Sequence, residues 1–247
     1  MKVKFTTLIT TFLLLINSAM FSITGEEILH KMDANMDYKT IIYTGTMEIF
    51  IGGEKPRTKV MKVTAMGDKK AYVEFLNKED INTKYLKLEK KMWLHDGEEN
   101  NTFLISGHML KEGMMGSDVS YEDALESESL YEKYNISMTN DEVIDGRDCY
   151  VVNLDAKVKE VSYEKRKMWV DKERFISLKE ERYAKSGLLL KETRTLDVQK
   201  IGDRYYPVKV EISDKLRENT KTDFTLSDIK FNVPVNENIF SLRYLER

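Results

Sequence analysis

The chain has one cysteine, three histidines and three prolines in 247 residues. A lone Cys149 cannot close an internal disulfide and has no partner for a thiolate metal site. It opens an apolar strand and reads as a small buried residue. His30, His95 and His108 fall on a predicted helix, a strand end and a glycine-rich loop. They lack the spacing of a zinc motif such as H-E-x-x-H, and each reads as a surface or edge residue. No G-x-S-x-G, Walker loop or dinucleotide fingerprint occurs. No enzyme activity, metal or cofactor is therefore expected. Lys plus Arg number 39 and Asp plus Glu 42, for a formal charge of −3, and no stretch is strongly basic. That excludes the electrostatic footprint of a nucleic-acid partner. Nothing after residue 24 is apolar for long enough to span a bilayer. The prolines leave the strand-like segments whole, apart from Pro207 near a strand start.

What is present is a folded composition, 41% apolar and 33% charged, and a length that suits one large β domain or two small ones. Residues 1–24 have the pattern of a secretory signal peptide: Lys2 and Lys4, an apolar stretch from Leu8 to Ile16, then the small residues Ser18, Ala19, Ser22 and Thr24. Cleavage after Thr24 or after Ala19 fits. Two basic and no acidic side chains leave with residues 1–24, taking the formal charge from −3 to −5. The alternative is an uncleaved anchor, since Phe5 to Ile23 carries no charge; its threonines, serines and Asn17 favour the cleaved form. A periplasmic location follows from the leader, and a membrane-anchored one from the alternative.

Gly25 to Met36 is predicted as a helix. Ile28, Leu29, Met32 and Met36 share one face, and Thr24 with Glu27 makes a capping-box pattern. From Thr40 the period changes to two, and short strands follow one another with hairpin-length turns such as Gly52-Gly53 and Asp145-Gly146. About twelve strands and two or three helices are expected, the second helix over Ser120 to Tyr134. A sheet of that size must curl or split. Charges at alternating positions, Lys165 and Lys167, Lys179 and Glu181, Lys191 and Arg194, suggest a solvated outer face and an apolar, aromatic inner one.

The alternation fails between Ile105 and Ser120. Gly107, Gly113 and Gly116 punctuate a segment carrying Met109, Leu110, Met114 and Met115, too rich in glycine for a good helix yet too apolar for an idle loop. It reads as a lip over an apolar cavity. Methionine is unbranched and adaptable, which suits contact with acyl chains as well as core filling. Asp118, Glu122 and Asp123 match no calcium loop and are better read as a helix-start cap.

Met92-Trp93-Leu94, Ile105-Ser106-Gly107 and the run Gly116-Ser117-Asp118-Val119-Ser120-Tyr121-Glu122-Asp123 resemble the outer-membrane lipoprotein-sorting family, the broader LolA-like group. The ending Asn238 to Leu245 is similar too, whereas His95-Asp96-Gly97 departs from the usual pattern. The resemblance covers most of residues 25–247 in layout and is sharp only in these stretches. It implies a mainly β fold, a strongly curved antiparallel sheet left open as a half-barrel with helices lidding its apolar side. It also implies a periplasmic carrier that holds acyl chains of lipoproteins or lipids. Taken with the lip, it points to Trp93, Leu94, Met109, Leu110, Met114, Met115 and Tyr121 as acyl-chain contacts. An inner-membrane transporter or other partner protein would exchange the cargo, with the carrier acting as a monomer. A lipoprotein sensor, or an adaptor with a filled core and no cargo, is the alternative.

Overall fold

The computed structural model describes residues 23–126 and 129–247. The leader proposed for residues 1–24 lies, but for its last two residues, outside them. Helix α1 (Gly25–Met36) has the predicted bounds, and the Thr24 and Glu27 side chains cap it reciprocally. Six strands follow as a meander: β1 (Thr40–Ile51), β2 (Arg57–Met66), β3 (Lys70–Phe75), β4 (Lys84–Leu88), β5 (Lys91–Asp96) and β6 (Asn101–Ile105). A linking segment carries two 3-10 turns, Gly107–Lys111 and Met114–Gly116, and the short helices α2 (Tyr121–Leu125) and α3 (Leu130–Lys133). A second meander runs through β7 (Tyr134–Ile144), β8 (Arg147–Ala156), β9 (Lys165–Asp171), β10 (Ser177–Tyr183), β11 (Leu189–Ile201), β12 (Arg204–Asp214) and β13 (Thr220–Phe231). A last helix, α4 (Leu242–Leu245), ends the chain.

All pairings are antiparallel, and the order across the 13-stranded sheet is β6-β5-β4-β3-β2-β1-β13-β12-β11-β10-β9-β8-β7. The two meanders are joined where β13 returns to pair with β1, Met47 opposite Phe224 and Ile49 opposite Thr222. The turns follow local chemistry. Asp145 and Gly146 both take positive φ, the geometry of a tight two-residue hairpin. The predicted strand from Ile81 starts instead at Lys84, because Lys78–Asp80 forms a 3-10 turn whose Asp80 carboxylate receives the Lys59 ammonium at 2.6 Å.

This order has a topological consequence. The sheet's two free edges, β6 and β7, are consecutive in sequence, so the described residues of the link, 106–126 and 129–133, must travel from one edge to the other. They cross the inner face. Met114 and Tyr121 join the core cluster of Met47, Ile49, Met61 and Val63 there, while α1 covers the inner face of β7–β9 with Ile28 and Leu29 against Val152, Leu154 and Met168. On the outer face the C-terminal residues Phe240 and Leu245 cover Tyr72 and Leu86.

The single helix expected over Ser120 to Tyr134 is not formed. Glu126 is extended and ends α2, and Tyr134 already belongs to β7. The segment has too few apolar side chains at helical spacing to bury one continuous face. His95 is not a surface residue: it is buried, and its Nδ1 shares a 2.8 Å hydrogen bond with Thr102 Oγ1 across the β5–β6 pair. Among the described residues no helix is long and apolar enough to cross a membrane.

Candidate ligand-binding cavity

The inner face encloses a cavity of about 380 Å³. Residues from β3 and β11, five strands apart in the sheet, both line it. Laid flat, those strands would stand roughly 24 Å apart at the usual inter-strand spacing, so the sheet must curl to bring them to one space. The volume falls within the range of small-molecule clefts, roughly 300–1,000 Å³.

One wall is apolar for a simple reason. Period-two alternation sends Met47 of β1, Met61 and Val63 of β2, Val73 of β3, Met92 of β5 and Phe224 of β13 inward. Tyr85 of β4 joins them, and its hydroxyl meets Tyr121 Oη at 3.1 Å and Met115 Sδ at 3.3 Å. Burial pushes the Tyr85 phenol up, so it stays a neutral donor.

The cover is built from the linking segment. Gly113 pairs with Ser120 as an isolated bridge, and the Met114 amide donates to the Val119 carbonyl at 2.8 Å. This closes a tight loop that presents Met114 to the cavity. Asp118, fully buried, ties the loop to β13 by accepting from Thr220 Oγ1 at 2.6 Å and Thr222 Oγ1 at 2.7 Å. Asp118 is thus an anchor; the helix cap is Asp123, whose carboxylate and Ser120 form a reciprocal capping box. Gly113 is required by close approach: a Cβ there would sit 1.9 Å from the Ser117 carbonyl oxygen. Gly113→Ala is therefore expected to cost about 2 kcal/mol through forced backbone movement. Hydrogen exchange should show the loss at the amides of Met114 and Gly116, with the β1–β2 amides still protected; uniform protection would refute the tight-loop account.

The opposite wall is ionic, not apolar and aromatic as alternation of charge had suggested. Lys191, expected on the solvated outer face, is buried and paired with Asp123. Arg182 donates from Nη1 to Asp123 at 3.0 Å and from Nη2 to Glu180 at 2.9 Å. Tyr163 Oη donates to Asp123 at 2.8 Å. Behind them Arg166, also buried, bonds Glu180 at 3.1 Å, Glu126, and the Tyr134 hydroxyl at 3.1 Å. Burial alone would raise the Asp123 carboxyl, but Arg182 and Lys191 outweigh it and hold it at about 2. Burial likewise opposes ionisation of Glu180, and Arg182 and Arg166 overcome it. Lys87 of β4 completes this end: its ammonium donates to the Ala124 carbonyl at 3.2 Å, and burial lowers its pKa, partly offset by Asp68 and Glu126. Lys87 also lines a second pocket with Asp37, Tyr38 and Tyr206, so it stands between the two.

The two walls are thus bridged by two consecutive cover residues. Asp123 is held by β10 and β11, and Ala124 by β4. A pH dependence follows. The folded Asp123 pKa of about 2 lies below the ordinary 3.8. The latch's contribution is therefore whole above about pH 4 and is lost as pH falls through about 2. Its size is about 2 kcal/mol from the shift itself. Acid unfolding of wild type against Asp123→Asn should show the difference between the two proteins shrinking over that window; a constant difference would exclude the ionised latch.

The residues proposed as acyl-chain contacts divide in the structure. Met114 lines the cavity. Tyr121 belongs to the core cluster beside it, and Leu94, Met109, Leu110 and Met115 pack against that cluster. Trp93 lies on the other face: it alternates with Leu94, so it shares the outer side with Leu86 and Tyr72 and packs under Phe240. The charged residues Lys87, Arg182 and Lys191 were missed. For Arg166 behind them a faint signal existed. In Arg166-Lys167-Met168-Trp169-Val170 the arginine is in phase with Met168 and Val170, the inward positions.

No curated protein matches the chain. A family model described as "Uncharacterized protein" matches residues 67–247. The chain belongs to that family. Three solved structures share its fold. A DUF1329 family protein from Desulfovibrio piger has a TM-score of 0.82 at 23% identity, over 90% of this chain and 97% of that one. An outer-membrane lipoprotein-sorting protein domain from Vibrio parahaemolyticus has 0.78 at 24%, over 90% and 98%. A LolA superfamily protein from Nitrosomonas europaea has 0.74 at 21%, over 90% and 100%. The mainly β, unclosed antiparallel sheet expected from the residues at 116–123 is the fold these proteins share.

Proposed function

We propose that this protein is an exported carrier that shelters the acyl chain of a lipoprotein or lipid in its inner cavity and works in the periplasm. The observation that carries the reading is an apolar cavity roofed by a segment that ion pairs, not a packed core alone, hold in place. Each methylene taken out of water contributes about 0.8 kcal/mol, so even a half-inserted chain is held firmly. Release then needs a cover that can move, and a latch of a few polar contacts suits that better than a sealed core. The leader-like sequence pattern of residues 1–24 supports export. The fold shared with a lipoprotein-sorting domain supports acylated cargo. A filled-core adaptor predicts no such space, and the cavity of about 380 Å³ favours the carrier over it. Exchange of cargo would involve an inner-membrane protein.

The test is direct. Delipidated protein is titrated with a diacylated peptide and with the same peptide lacking its acyl chains. Binding of the first in the micromolar range or tighter, with none of the second, is expected. Absence of binding, together with no lipid in gently extracted native protein by mass spectrometry, would reject the carrier.

A further inference from the structure

The polar end of the cavity holds more positive charge than negative. Four cations, Lys87, Arg166, Arg182 and Lys191, share three carboxylates, those of Asp123, Glu126 and Glu180. Arg166 does not line the cavity and spends its bonds on Glu126, Glu180 and Tyr134. The surplus therefore falls on the three cations that do. Their hydrogen-bonding capacity is also unspent. Arg182 Nε is buried with no partner. The Lys87 ammonium has three donors and one hydrogen bond, to the Ala124 carbonyl, and the Lys191 ammonium bonds Asp123. A buried N–H without an acceptor is costly, and an oxygen supplied by a ligand would satisfy it. The further carboxylates at hand are Asp68, which is exposed on the β2–β3 turn, and Glu122, which lines a neighbouring polar pocket that Lys191 also borders. Neither lines the cavity itself, where, among the described residues, Asp123 is the one carboxylate set among Lys87, Arg182 and Lys191.

We propose that the cavity takes a single-chain amphiphile bearing one negative charge at its head, of which a long-chain carboxylate is the simplest. The head sits among Lys87, Arg182 and Lys191, and the tail runs along Met47, Met61 and Met92. This rests on the container reading and narrows it. An acyl chain on a lipoprotein is joined through a neutral ester or amide and leaves the surplus charge unmatched; a free carboxylate matches it with charge-assisted bonds.

Dodecanoate, dodecanol and dodecylamine share one tail and differ in the head. Each is titrated calorimetrically into the delipidated full chain below its aggregation threshold, beside the diacylated peptide. Dodecanoate should bind roughly tenfold or more tightly than dodecanol, as expected of a charge-assisted pair in a water-poor site, with dodecylamine weakest. Lys87→Met should remove most of the carboxylate's advantage over dodecanol, read as the ratio of the two affinities in the same variant. Equal binding of carboxylate and alcohol, or a preference for the amine, overturns the head-group assignment while the container stands. Failure of every amphiphile and of the diacylated peptide removes the container and this inference together. The head-group series needs no variant, so a poorly folding Lys87→Met leaves the proposal testable.

Discussion

Replacing Asp123 by alanine is expected to destabilise the protein by about 3–5 kcal/mol, the usual cost of removing one partner from a buried ionic pair. The size follows from what is left behind. The Asp123 side chain is 10% exposed and receives Arg182, Lys191 and the Tyr163 hydroxyl. Without it, Lys191, itself buried, loses its hydrogen-bonded countercharge, and Arg182 keeps only Glu180. The Asp123 half of the α2 capping box, its bonds from the Ser120 amide and hydroxyl, is lost as well, while the Ser120 hydroxyl can still accept from the amide of residue 123. For a chain of this size the melting temperature should fall by roughly 10 °C. The damage should also be local: the cover, residues 106–126, should become a protease site before the sheet unfolds. Asp123→Asn keeps the shape and part of the cap, and should fall between wild type and alanine. A loss below about 1 kcal/mol for alanine is the behaviour of an exposed pair and would show that water already reaches these charges.

Val73→Trp is expected to abolish acyl binding without unfolding the protein. Val73 lines the apolar wall, and the added ring has the cavity to grow into. A bulky side chain that displaces three or four methylenes of ligand removes about 3 kcal/mol of transfer free energy, or roughly a hundredfold in affinity. In a fully packed core the same change would force neighbours off their rotamers and cost about 1–3 kcal/mol. In a hollow one, the melting temperature of the empty protein should hold or rise. The two numbers, diacylated-peptide affinity and melting temperature, are measured on the same delipidated preparation, since bound lipid would itself raise the melting point. Lost stability with unchanged affinity would mean that Val73 faces a packed core and that cargo, if any, sits elsewhere.

Much of this architecture was legible in the chain. Thr24 and Glu27 mark the start of α1 because capping is a contact between residues three apart. Asp145-Gly146 marks its hairpin because both positions need positive φ. The breakdown of alternation after Ile105 marked the cover, since a segment that is apolar without a regular period must pack on something other than its own neighbours. The ionic wall was barely legible. Arg166 stands between Lys165 and Lys167, and only its phase with Met168 and Val170 sets it apart. Lys191 looked like a solvent-facing lysine because its partner, Asp123, is 68 residues away.

The sequence by itself determined the elements: a capped helix, short strands of period two, and a glycine-broken apolar segment. These depend on steric and hydrogen-bonding preferences that act over a few residues. Only the tertiary structure decided that β13 returns to β1, and from that one long-range pairing the rest follows. It leaves β6 and β7 as the edges, draws residues 106–126 across the inner face, and brings Asp123 to Arg182 and Lys191. Strand pairing is chosen by the burial of whole faces, a property of the closed fold that no short stretch of chain contains.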